Sequence, residues 1–175
     1  MKKKTLALVL ALTLLVAGVV GGTLAWLTDR TAEVKNTFTV GDINIDLTET
    51  TADYKMVPGN TIAKDPTVTV KAGSEACWLF VQVTESTNLK DFITYAIANG
   101  WTELEAGVYY REVPVSNADQ TFSVLADDAV TVKSDVTRTM LETAKTDAPT
   151  LTFKAYAVQK DNVASASDAW AKVNP

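Results

Sequence analysis

Histidine is absent from this chain of 175 residues, and cysteine occurs once, as Cys77. Without histidine the commonest general base and the commonest zinc ligand are both missing. Neither a Ser-His-Asp nor a Cys-His arrangement can be assembled. A single cysteine excludes an internal disulfide, so stability has to come from a packed core. Cys77 lies beside Trp78 in an apolar run and reads as a buried small hydrophobe. The sequence holds no Gly-rich phosphate loop, no HExxH and no GxSxG. The spacing of a helix-loop-helix calcium site is also lacking. Asp127-Asp128 and the pair Asp42 and Asp46 are the acidic groupings worth weighing. The first reads as a solvated turn, and nothing marks a catalytic carboxylate pair among the 21 acids. The expectation is a protein that is not an enzyme, with no catalytic residue, no metal and no cofactor.

What the chain does have begins at its start. Lys2, Lys3 and Lys4 form a positive cluster, and the 23 residues from Thr5 to Leu27 carry no charge. Thr23-Leu24-Ala25 places small residues at both ends of a triplet. A charged n-region, an apolar h-region and a small-x-small site predict a secretory signal helix over residues 1–25. Cleavage after Ala25 makes Trp26 the first mature residue, so Thr23, Ala25 and Trp26 define the cleavage site and the product is secreted. The competing reading is an uncleaved anchor, since about 20 apolar residues span a bilayer and the lysines would hold the N-terminus inside. Gly18, Gly21 and Gly22 weaken the helix near its end, as a cleavable c-region needs. The membrane is then a partner only through the uncleaved signal. Cleavage removes three lysines and no acid, taking the formal charge from −5 to −8 over 150 residues. Such an acidic domain repels nucleic acid and anionic membrane surfaces.

The mature sequence is rich in Thr, Val and Ala in short alternating runs. Residues 36–48 place Phe38 and Val40, then Ile43, Ile45 and Leu47, on one face, with Gly41-Asp42 shifting the phase. Pro58-Gly59-Asn60 signals a turn. Further strands are predicted from Thr67 to Lys71, Cys77 to Thr84, Trp101 to Glu105, Val108 to Val113, Thr121 to Leu125, Ala129 to Lys133 and Thr150 to Gln159. The run at Cys77 is apolar on both faces, as a central strand requires. Leu89, Phe92, Ile93, Ala96 and Ile97 recur at helical spacing. An amphipathic helix is expected there, capped by Asn88 and ended at Gly100. Short helices are also expected within 135–145 and around Trp170. Seven or eight short strands with one or two short helices predict an all-β, jelly-roll-like β-sandwich over residues 36–175. Residues 26–48 form its N-terminal segment and first strand. Trp78, Trp101, Tyr109, Tyr110 and Trp170 read as packing aromatics, and a carbohydrate platform is the alternative.

The stretch GGTLAWLTDRTAEVKNTFTVGDINIDLTE, Gly21 to Glu49, resembles the SipW-dependent type of signal peptide and mature N-terminus of the TasA/camelysin family of Gram-positive bacteria. The matching positions are Gly21, Gly22, Thr23, Ala25, Thr28, Asp29, Asn36, Phe38, Thr39, Gly41, Ile43, Ile45 and Leu47. VPGNTIAKDPTVTVKAGSEACWLFVQV, Val57 to Val83, is similar to the family's Pro-Gly and Lys-Asp-Pro segment, and LTFKAYAVQ and Ala169-Trp170 fit near the end. The resemblance implies a jelly-roll sandwich, processing by a SipW-type signal peptidase, and extracellular biofilm matrix or surface fibres. In those fibres the N-terminal strand of one subunit completes the sheet of the next, so the implied partner is a second copy in a head-to-tail homopolymer. Trp26, Leu27, Phe38 and Val40 are the implied assembly residues, on a donor strand within 26–48. Edge-strand pairing and non-closing contacts are a physical route to such filaments. A disordered tail on a monomeric surface-binding module, for carbohydrate or a host protein, is the alternative. The metalloprotease activity attributed to camelysin-type members carries over poorly to a chain without histidine.

Overall fold

The computed structural model describes residues 42–50 and 54–173. These belong to the second of the two units into which the chain divides, Val40–Pro175. The expected signal segment, with Thr23, Ala25, Trp26, Leu27, Phe38 and Val40, lies outside the described residues. Among the described residues no helix is long and apolar enough to cross a membrane.

Among the described residues ten strands form, all paired antiparallel, where seven or eight were expected; Thr61–Ala63 and Ile93–Thr94 were not among those expected. A first sheet has the order β1 (Ile45–Thr48), β3 (Thr67–Val70), β8 (Gln120–Ser123). A second has the order β10 (Leu151–Gln159), β4 (Cys77–Glu85), β7 (Val108–Val113), β6 (Thr102–Glu105). The two share one core. Val68 and Val70 from β3 are buried with Cys77, Leu79, Val81 and Val83 from β4 and with Val113 from β7. Every second residue of β4 therefore points into the space between the sheets, as the two-residue period of a strand demands. The intervening Trp78 and Phe80 point out of the sandwich, yet they too are buried. The C-terminal helix α3 (Ala166–Val173) lies over them through Ala166, Ala169 and Trp170. That double burial is why β4 reads as apolar on both faces.

A third, smaller sheet has the order β2 (Thr61–Ala63), β9 (Ala129–Val132), β5 (Ile93–Thr94). Its apolar side packs with α1 (Leu89–Phe92) and α2 (Arg138–Thr143) around Phe92, Val132 and Val136. The helix expected from Leu89 to Ile97 is thus a single turn. Ile93 and Thr94 pair with Val132 and Thr131, and Ile97 forms a bridge to Leu125. Ile93, Tyr95 and Ile97 also alternate at period two, and pairing with β9 selects that period over the helical one. Asn88 stands at the expected N-cap position but makes no side-chain cap bond; its amide donates instead to the Asp147 carbonyl at 3.0 Å. Three short α-helices are present among the described residues, one in each segment where helical structure was expected.

Turn chemistry follows the sequence closely. Gly59, at φ +80°, occupies the Pro-Gly-Asn turn, and the Asn60 amide donates to the Val57 carbonyl. Asp127 and Asp128 take φ of 56° and 48° in a 3-10 turn between β8 and β9, a left-handed conformation that Asp tolerates better than most residues.

Candidate functional site

The two main sheets are not equally closed along their length. β1 and β10 are the outermost strands on one side of their sheets and lie beside each other. No backbone hydrogen bond joins them among the described residues. β10 is nine residues long, and among the described residues its backbone ladder runs to β4 only. At about 3.4 Å per residue, that is roughly 30 Å of strand edge without a ladder partner among the described residues. The core side chains record the opening. Val68, Leu79 and Val81 are fully buried in the middle of the sandwich. On β10 the inward-facing Leu151, Phe153, Ala155 and Ala157 are only half-buried, and Leu47 on β1 is 37% exposed.

Two cavities open at the lower end of this seam. One, of about 280 Å³, is bounded by Leu47, Thr48 and Glu49 on one side and by Leu151, Thr152 and Phe153 on the other. The second, of about 460 Å³, shares Leu151 and Thr152 and continues toward Met56, Ile62, Leu89 and Ile93. A polar cluster lies alongside both. The Lys64 side chain is almost wholly buried, and its ammonium stands 2.5 Å from Glu49 Oε1. The Tyr54 hydroxyl donates to the same oxygen at 2.6 Å. The ammonium also lies 4.8 Å from the Tyr54 ring centroid and 5.4 Å from that of Phe153. Two ring faces and one carboxylate thus replace the water that Lys64 loses. Burial, then the hydrogen bond to Glu49, pushes the Tyr54 hydroxyl well above the ordinary phenol range, so it stays a donor. Next to the cluster the Thr50 amide and hydroxyl both donate to Asp65, and the hydroxyl bond chiefly holds that carboxyl below its usual range. These bonds pin the exit of β1.

The arrangement offers a receiving edge: N–H and C=O groups unbonded among the described residues, a half-covered apolar strip and two side-chain cavities. An added strand needs all three. Among the described residues no three His, Cys, Asp or Glu side chains converge on a point that could hold a metal. Asp42 accepts from the Asn44 amide and Asp46 pairs with Lys71 at 2.9 Å, so the two acids do not act together. Burial pushes the Cys77 thiol up to about 11, opposite to the shift a nucleophile needs. Trp78 is buried under α3, Trp170 is buried on the inner side of that helix, and the Trp101 indole donates to the Ser123 carbonyl at 2.8 Å. None of the three stands as an open platform.

Sequence reasoning placed the donor strand on the N-terminal segment and assigned the accepting edge to no particular strand. It missed that β10, identified there as a strand, has one edge with no ladder partner among the described residues. Ile45–Thr48, counted within the donor segment 26–48, is already paired to β3 in its own chain. Only the residues before it remain to be donated. In comparisons with known proteins, no family model, curated protein or solved structure matches the chain.

Proposed function

We propose that this chain is a secreted structural subunit of extracellular matrix or surface fibres, that it is not an enzyme, and that it assembles head to tail. In this reading the signal is cut after Ala25 by a SipW-type peptidase, and the freed segment ahead of β1 adds to the β1–β10 seam of the next copy. The sandwich is of jelly-roll type, as the resemblance to the TasA/camelysin family implies. One observation carries the proposal: the inward-facing side chains of β10 are half-exposed beside a nine-residue strand edge with no ladder partner among the described residues. Long unprotected edges are normally covered, shortened or charged. Here the edge is flanked by cavities of a size that takes apolar side chains.

A contact between two different patches does not close on itself, so repetition gives a filament. The apolar alternation Phe38, Val40 supplies side chains on one face at the spacing a strand-receiving groove reads. Electron microscopy of the extracellular protein at high concentration should show fibres. Monomers alone, whatever the salt, pH or seeding, would end the proposal.

A further inference from the structure

We propose that Arg111 is a preformed seat for a carboxylate side chain of a protein partner, on the side of the sandwich away from the β1–β10 seam. Arg111 lies on the inward-facing row of β7, opposite Leu79 of β4, and a charge is unexpected there. It is accommodated because the sandwich ends at this point. Its guanidinium carbon lies 3.9 Å from the ring centroid of Phe122 on β8 and 5.3 Å from that of Trp101, which precedes β6. The Trp101 indole bond to Ser123 ties the two edges together around it. Both rings are half-buried, so the guanidinium is held in an aromatic slot.

The slot fixes the head group but leaves it without a counter-ion among the described residues. Nε is buried and has no hydrogen-bond partner. The head group as a whole makes no hydrogen bond or ion pair among the described residues, although five lysines of the same domain pair with carboxylates. The two Nη groups are not sealed off as Nε is. Gly100 borders them at φ +89°, and a Cβ there would come within 3.1 Å of Nη2. Glycine keeps that approach clear. Stacking pre-organises the planar fork, and a fork of this kind prefers a bidentate carboxylate. Burial lowers the proton affinity of Arg111, the direction expected of a cation lacking its anion. A planar monoanion fits a slot between rings, whereas dianionic phosphate would face the repulsion of a chain with 21 acids against 16 bases.

The test is an NMR titration of the isotopically labelled full chain at fixed ionic strength. The probes are N-acetyl-glutamic acid α-amide, standing in for a Glu side chain, and inorganic phosphate. The glutamate probe should shift the Arg111 Nε–Hε and Trp101 indole resonances saturably, with a Kd on the order of 10 mM. Arg111→Lys should weaken this at least about tenfold, because an ammonium cannot reproduce the fork. No saturable shift in the wild-type chain would overturn the proposal, and so would a response to phosphate alone. The Arg111 resonance itself decides the matter should the lysine variant not fold. The proposal does not depend on fibre assembly, and either can fail without the other.

Discussion

Truncating Trp170 should be the most damaging single change on the outer face of the second sheet. Trp170 is 5% exposed and its ring centroid lies 5.3 Å from both Phe80 and Tyr156, the latter nearly edge-on at 81°. Its indole N–H donates to Glu105 Oε1 at 2.7 Å, joining α3 to β6. Replacing a buried Trp by Ala costs about 3–5 kcal/mol from lost transfer and cavity formation. The hydrogen bond to a charged acceptor adds to this, at about 1.5–3 kcal/mol where it is fully made. A ceiling applies, however. If α3 detaches before the sheets unfold, the loss cannot exceed the free energy with which the helix docks. Ala169, fully buried, and the Ser165 cap on the Asp168 amide argue that docking is firm. Taking about 3–5 kcal/mol and a conversion of about 2–4 °C per kcal/mol for a domain of this size, Trp170→Ala should lower Tm by about 6–20 °C. Trp170→Phe keeps a ring but not the donor and should fall well short of that. Thermal unfolding by circular dichroism measures both. A Trp170→Ala loss below about 1 kcal/mol, in the range of a surface substitution, would refute the reading that α3 is part of the core.

Three further outcomes follow from single positions. Gly107, at φ +78° in the β6–β7 turn, has the Val83 carbonyl oxygen 2.7 Å from where a Cβ would stand. Gly107→Ala should cost about 1–3 kcal/mol in urea unfolding, and a neutral result would mean the turn relaxes freely. Cys77 is fully buried with its thiol raised to about 11, so iodoacetamide at pH 8 should leave it unmodified in the native protein and label it in denaturant. Mass spectrometry reads the difference, and rapid native labelling would contradict the burial. Asp119 is held below the ordinary carboxylate range, first by the Ala72 amide and then by Lys71. A depressed folded-state value stabilises above the unfolded value and is lost as pH falls through the folded one. Asp119→Asn should therefore flatten the decline in Tm between about pH 5 and pH 2, and an unchanged slope would show that the contact does not survive in solution.

Much of the sheet was legible because strand residues record their own faces. In LTFKAYAVQ the split of Leu151, Phe153, Ala155 and Ala157 from Tyr156 and Val158 matches the inner and outer clusters of β10. The Ala106-Gly107 hairpin and the Asp127-Asp128 turn were readable from residues with distinct backbone preferences. Residues 89–97 were not, because Leu89, Phe92, Ile93, Ala96 and Ile97 satisfy a helix while Ile93, Tyr95 and Ile97 satisfy a strand. Only the position of β9 decides between them, and that is a contact across some forty residues of chain. The seam was invisible for a related reason. A sequence shows that a strand exists, whereas whether both its edges are laddered depends on which strands become neighbours. Lys64 gave no signal either, since its burial requires Glu49, Tyr54 and Phe153 to converge from three segments.

Donor and acceptor, on the fibre reading, are different parts of one chain, and this makes the assembly separable. Phe38→Asp damages only the donor. Phe38 stands ahead of β1, and burying one Phe side chain contributes roughly 1.5–3 kcal/mol at each interface. Exchanging that for a buried unpaired carboxylate should abolish growth. Thr152→Trp damages only the acceptor. Thr152 is exposed on β10 and borders both cavities, so a large ring there fills the space a donor side chain needs without touching the subunit's own core. Neither variant should polymerise alone. Mixed, the Thr152→Trp chain can still donate and the Phe38→Asp chain can still accept. One productive contact then forms and stops, giving a heterodimer and no fibre. Analytical ultracentrifugation of the mixture distinguishes the outcomes. A dimer only in the mixture supports a strand passed from the N-terminal segment to the seam. Full fibres from Thr152→Trp alone would place the acceptor elsewhere. A Phe38→Asp monomer whose melting temperature has dropped sharply would place Phe38 in its own subunit's core and remove it as a donor.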